Sequence, residues 1–240
     1  MGTLENPIDI SLPVADLTRA WYINPPKFEP VVLGDWIGSV EKGGSVNFRD
    51  ITFNPHAHCT HTETMGHVTK EIYSINKLVN KHWFLAELIT VPVEVAAEDE
   101  ILTATKIDQK WMNRDVEALI IRTSPNNPKK ATENLSNSNW PYLDEAAAEH
   151  IRNAGVKHLL IDQPSVDKEE DGGKMLAHKA FWNIPEAPRK GATITELIFV
   201  PDNIADGLYL LNLQVAPIEN DAAPSRPVLF GLSQVQKAIK

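Results

Sequence analysis

The chain has 240 residues, 42% of them hydrophobic and 23% charged, enough to bury a core without disulfides or a structural metal. Its formal charge of −9, with no block of Lys or Arg, excludes broad attraction to nucleic-acid backbones, and no apolar run approaches the roughly 18 residues of a membrane span. One cysteine makes no internal disulfide, and the opening MGTLENPIDISLPVAD lacks the basic and apolar regions of a secretory signal, so a cytoplasmic location is expected.

Short β-like segments come first: IDISL at 8–12, VVLGDWIGSV at 31–40, SVNFRDITF at 45–53 and LAELITVPVEVAA at 85–97. Pro92 interrupts the last of these, as at a bulge or an edge. VEALIIRTS at 116–124 reads as a buried strand. LDEAAAEHIRNAG at 143–155 reads as a helix with Leu143, Ala147, Ile151 and Ala154 on one face and Gly155 placed to end it. VKHLLID at 156–162 follows as another apolar strand. Strand, helix and strand in that order predict a parallel α/β element, and ligands gather at the carboxyl ends of such strands, where Asp162 and Asp167 stand. GKMLAHKAFWN at 173–183 predicts a short helix carrying His178, and ATITELIFV at 192–200 a strand carrying Glu196. GLYLLNLQVAPIE at 207–219 is the next strand. The closing NDAAPSRPVLFGLSQVQKAIK has two prolines, which argue against a central strand or a continuous helix. No repeat or long linker divides the chain, so one domain over residues 1–240 is expected.

The chemistry concentrates in NPHAHCTHTETMGH at 54–67, which holds four of the eight histidines, the only cysteine and a glutamate. Imidazole and carboxylate are the usual ligands of catalytic zinc and related ions. His61 and Glu63 are two apart, so on an extended strand both point to one face. A metal there lowers the pKa of bound water from 15.7 to about 7 and supplies hydroxide at neutral pH. A thiolate at Cys59, activated by His58, His61 or His67, is the rival chemistry, although free cysteine is more often a small buried hydrophobe. A polar loop of satisfied histidines is the bland alternative.

THTETMGH at 60–67 resembles the THxDxPxH signature of the cyclase family of metal-dependent hydrolases, which includes bacterial kynurenine formamidases and isatin hydrolase. IDQPSVD at 161–167, MLAHKAF at 175–181, TITELIF at 193–199 and PSRPVLF at 224–230 resemble that family's later segments in the same order. The resemblance implies an α/β fold of the swivelling β/β/α type and a site with one or two divalent ions, zinc or manganese, that hydrolyses an amide or lactam bond. It also implies a homodimer or higher homo-oligomer. Carried over by position, His61, Glu63, His178 and Glu196 are metal ligands, with Glu63 able to bridge two ions, and His67 is the unligated acid/base. Asp162 and Asp167 are either supports for a ligand or turn residues.

Three positions depart from the family pattern. The first ligand position falls on Ala57, flanked by His56 and His58; strand parity leaves both open, and Pro55 favours His56 by marking an irregular turn. Glu63 replaces an aspartate, and Met65–Gly66 replaces a proline-containing pair. The expected function is hydrolysis of a C–N bond in a small substrate, aromatic in the default case of N-formylkynurenine, with Trp21, Tyr22, Trp36 and Trp83 as candidate pocket residues. A lactam, cyclic imide or lactone hydrolase, and a non-catalytic metal or small-ligand binding protein, are the alternatives.

Overall fold

The computed structural model describes residues 6–16 and 18–232. Its principal strands are β1 (Ile8–Asp9), β2 (His61–Glu63), β3 (Trp83–Pro92), β4 (Ala118–Ser124), β5 (His158–Ile161), β6 (Thr193–Glu196), β7 (Gly207–Val215) and β8 (Ala222–Gly231). Seven of them close on themselves in the order β8, β7, β3, β4, β5, β6, β2, with β2 pairing back to β8. The result is a mixed α/β fold around a closed barrel. The run from β3 through β4 and β5 to β6 is parallel, and the remaining pairs, including β1 on β8, are antiparallel.

Period-2 alternation sends successive side chains of each strand to opposite faces, and here both faces of the parallel run are covered. Ala118 and Ile120 of β4 join Phe84, Ala86, Leu88, Leu160 and Leu211 inside the barrel. Leu119 and Ile121 face outward, against Ile107, Trp111, Ala147, Ile151, Phe181 and Trp182. Those residues come from the helical layer of α1 (Ala104–Lys110), α2 (Glu145–Asn153) and α3 (Leu176–Trp182) and the chain beside it. Burial on both sides is why these strands read as unbroken apolar runs. α2 begins where the Asp144 carboxylate accepts the Ala147 N–H at 2.7 Å and ends at Gly155, whose φ of +90° is the left-handed closure glycine tolerates.

Two expectations are corrected. VVLGDWIGSV is not one segment but a tight hairpin, Val32–Leu33 against Trp36–Ile37, reversed at Gly34 with φ +59°. The tail, expected not to form a central strand, supplies the ten-residue β8, which pairs with β7, β2 and β1. Pro224 ends the β2 ladder opposite His61, and Pro227 stands opposite Leu213 within the β7 ladder with its carbonyl turned toward the β1 side. The Pro224 carbonyl accepts the Ala216 N–H just past the end of β7, and the Pro227 carbonyl accepts the Ile10 N–H just past the end of β1. Residues 233–240 of the tail lie outside the described residues.

Between β1 and β2 the chain runs out into an arm in which Lys27–Pro30 pairs with Arg49–Thr52. Phe28, Val32, Leu33, Phe48 and Ile51 are exposed on it. Among the described residues no helix is long and apolar enough to cross a membrane.

Candidate metal centre

β2 lies antiparallel to β6, with Glu63 opposite Ile194, Thr62 opposite Thr195 and His61 opposite Glu196. The Thr62 and Thr195 hydroxyls bond each other at 2.8 Å on one face of the pair. His61, Glu63 and Glu196 therefore share the other face with Ile194, a member of the helix-side core. That face is roofed by α3, which carries His178, and by the tight turn Met65–Val68, which carries His67. The site thus sits outside the barrel wall, between sheet and helical layer.

Glu63 is the hub. Its Oε1 lies 2.9 Å from His178 Nε2, and its Oε2 lies 3.0 Å from His56 Nδ1, 3.8 Å from His67 Nδ1 and 3.9 Å from His61 Nε2. Glu196 closes the group, with Oε2 3.4 Å from His61 Nε2 and Oε1 3.5 Å from His178 Nε2. Its Oε1 also accepts the Val166 N–H at 2.9 Å, which fixes the carboxylate. His178 is held from behind by Asp167, 2.5 Å from Nδ1. The same carboxylate accepts the Ala177 and His178 N–H groups at the start of α3, a helix whose own first residue offers no side-chain cap.

The neighbours of Ala57 separate cleanly. Residues 55–58 form a helical turn, capped by the Asn54 side chain on the His56 N–H. On a helix two residues two apart face nearly opposite sides, so His56 and His58 diverge. His56 turns into the cluster. His58 is buried elsewhere: its Nδ1 accepts the Asn54 N–H at 2.9 Å and its Nε2–H donates to the Asn24 carbonyl at 2.9 Å. Both ring nitrogens are used, so His58 is set aside as a ligand. Strand parity left the choice open because the segment is not a strand.

Among the described residues, three buried atoms of this cluster have no hydrogen-bond partner: His56 Nδ1, His61 Nε2 and Glu63 Oε2. His56 Nδ1 and Glu63 Oε2 are near each other, yet not in bonding orientation. Orphaned buried polar atoms are costly, and these three lie within 4.8 Å of one another. Two imidazole nitrogens and a carboxylate oxygen are a donor set for zinc or a related divalent ion, so the residues present fit a metal. His178, Glu63 and His67, and likewise His56, His67 and Asp221, converge to the same tolerance.

The buried imidazoles and carboxylates shift one another's protonation. Burial opposes charge on His56, but Asp221 and Glu63 push its pKa up to about 10. Burial likewise opposes charge on His178, yet Asp167, Glu63 and Glu196 hold it well above its ordinary value. Glu63 is fully buried, and His67, His178 and His56 nonetheless keep it well below the usual carboxylate range.

The Cyclase family model matches residues 8–168. The chain belongs to the Cyclase family. Among its relatives, kynurenine formamidase of Bacillus thuringiensis (strain Al Hakam) is 28% identical over 225 residues, covering 92% of this chain and 96% of that protein. The enzyme of the same name from Bacillus cytotoxicus is 27% identical with the same coverage. In fold, this Cyclase chain is similar to a potential metal-dependent hydrolase with cyclase activity, at a TM-score of 0.65 and 18% identity over 94% of this chain and 98% of that one. It is also similar to an isatin hydrolase bound to the product analogue thioisatinate, at 0.63 and 12% over 94% and 92%.

The remaining sequence candidates lie elsewhere. Asp162 accepts from Thr123 and pairs with Lys130 at 2.5 Å, a buried structural ion pair. Cys59 is buried beside the Pro55 carbonyl, and burial pushes its thiol up to about 12, which leaves no thiolate at neutral pH. Trp21 packs edge-on against Trp140, Trp36 against Phe48 and Trp83 against Phe230, while the Tyr22 hydroxyl donates to Glu169 at 2.8 Å. Sequence reasoning missed Asp221, whose Oδ2 lies 3.1 Å from His56 Nε2 and 3.5 Å from His67 Nδ1. A lone aspartate in an uninterpreted tail carries no signal of its own.

Proposed function

We propose that the chain hydrolyses the C–N bond of a small arylformamide of the N-formylkynurenine type. It is a metal-dependent amide hydrolase of the Cyclase family. The observation that carries the reading is the convergence of three buried, unpaired donor atoms, in a chain that matches kynurenine formamidases over nearly its whole length.

His56, His61 and Glu63 would hold one divalent ion in this reading, and Glu63, His178 and Glu196 would form the adjoining set for a second. The first set, richer in imidazole, suits zinc; the second, richer in carboxylate, suits zinc or manganese. When bound, the ion polarises the substrate carbonyl and acidifies water. Glu63 spans both sets through its two oxygens. Asp167 fixes the His178 ring so that Nε2 faces the site. His67 is the most exposed of the converging histidines, its side chain 30% accessible against 17% for His56. It takes the proton of the attacking water and returns it to the departing amine nitrogen, which is a poor leaving group until protonated.

His67→Ala is expected to keep the metal and lose turnover, measured on N-formylkynurenine beside a lactam, a lactone and a simple anilide. Retained turnover removes His67 from the acid/base role, and turnover confined to the lactam replaces the substrate assignment. We also infer a homodimer or higher homo-oligomer, with the exposed apolar arm around Val32, Leu33 and Phe48 as the contact. Light scattering tests it: a monomer at micromolar concentration overturns it.

A further inference from the structure

We propose that Asp221 is the positioning residue that makes His56 a ligand and aims His67, an inference that rests on the metal-centre reading above. The Asp221 carboxylate accepts from His56 Nε2 at 3.1 Å. That bond leaves the opposite ring nitrogen, Nδ1, facing Glu63 and His61 as one of the three orphaned atoms. A carboxylate behind a ligand histidine selects its tautomer and raises its basicity. His56 stands one residue before the family's ligand position, at Ala57, so its support has to come from outside the helical turn that carries it.

The same oxygen, Oδ2, lies 3.5 Å from His67 Nδ1, and the backbone holds the two segments together. The Thr64 N–H donates to the Asp221 carbonyl at 3.0 Å, and the Ile75 N–H donates to the Asn220 carbonyl at 2.8 Å. Gly66 belongs to this device. A Cβ there would stand 2.6 Å from the Tyr73 nitrogen and 3.2 Å from the Asp221 Cβ. Only glycine fits between the Tyr73 backbone and Asp221 in the turn that carries His67.

The test uses the full chain, stripped of metal and titrated with Mn²⁺ or with Zn²⁺ against a competing chelator. Asp221→Asn keeps shape and backbone bonds and is expected to weaken the ion by about 10- to 100-fold, as loss of such a support does. In zinc-loaded protein, the NMR signal of the proton on His56 Nε2 is expected to move upfield in Asp221→Asn, where a neutral amide replaces the carboxylate to which it donates. At saturating metal, Gly66→Ala is expected to lower kcat with KM and metal affinity nearly unchanged. An Asp221→Asn affinity within twofold of wild type, or an unaltered His56 Nε2–H signal, overturns the first half of the inference. An unaltered kcat in Gly66→Ala overturns the second. Failure of the wild type to bind either ion would instead defeat the metal-centre reading, so the two failures are distinguishable.

Discussion

Loading a divalent ion onto the metal-free protein displaces a proton from His56, so affinity is expected to climb with pH. The ligand form of His56 is the neutral ring, whereas Asp221 and Glu63 keep the ring charged up to a pKa of about 10. Glu63 and Asp221 themselves are held below the usual carboxylate range by the neighbouring histidines, against the effect of burial, so they do not compete for protons near neutrality. One displaced proton raises the apparent association constant tenfold per pH unit, ~1.4 kcal/mol. Between pH 6 and pH 8 the gain is about 100-fold, or ~2.7 kcal/mol. An ion that also takes His178, likewise held charged, displaces a second proton and doubles the slope. Calorimetry with Mn²⁺ in two buffers of different ionisation enthalpy counts the protons directly. Between one and two per ion are expected, falling by one in His56→Ala. An affinity independent of pH, with no buffer dependence of the heat, refutes the argument.

Stability of the chelated protein is expected to run the other way. A histidine with a raised folded pKa stabilises fully below its unfolded value near 6.5 and loses that contribution as pH rises toward the folded one. For His56 the window is therefore from about 6.5 up to about 10, and the melting temperature of chelated protein is expected to fall across it. His58→Ala is expected to cost about 2 kcal/mol of stability through two lost buried hydrogen bonds while leaving metal affinity unchanged; urea melts and metal titration of His56→Ala and His58→Ala should give opposite patterns. Asp167→Asn is expected to weaken the metal about 10- to 100-fold and also to lower the melting temperature, since Asp167 starts α3 as well as holding His178.

What could be read from the chain depended on whether local periodicity carried the answer. VEALIIRTS and VKHLLID were plain because they are buried on both faces, and Gly155 marked the end of α2 by the ordinary closing role of glycine. His61 and Glu63 shared a face because β2 is extended, so strand parity applied. It failed three residues upstream, where Asn54 and Pro55 set a helical turn and rotated His56 and His58 apart. The tail failed for a different reason. A proline forbids a ladder bond only where its N–H would have been used, and the ends of β1 and β7 are not visible in local sequence. Asp221 became visible only with that strand, since its place beside His56 is set by β8 pairing to β2.

The charge balance of the cluster argues for its purpose. Glu63, Glu196, Asp167 and Asp221 bring four carboxylates into contact with His56, His61, His67 and His178. Burying so many acids costs free energy unless positive charge is supplied. Without an ion, that charge comes from protons on His56 and His178, the two rings held above their ordinary pKa. Two imidazolium charges equal the charge of one divalent cation. A cation can replace them while Glu63, Asp167 and Asp221, held below the usual carboxylate range, stay ionised, and His56 Nδ1, His61 Nε2 and Glu63 Oε2 would then gain a shared partner. The unpaired triad and the protonated rings are therefore two aspects of one demand for a cation, placed beside the single converging histidine left most open to solvent, His67.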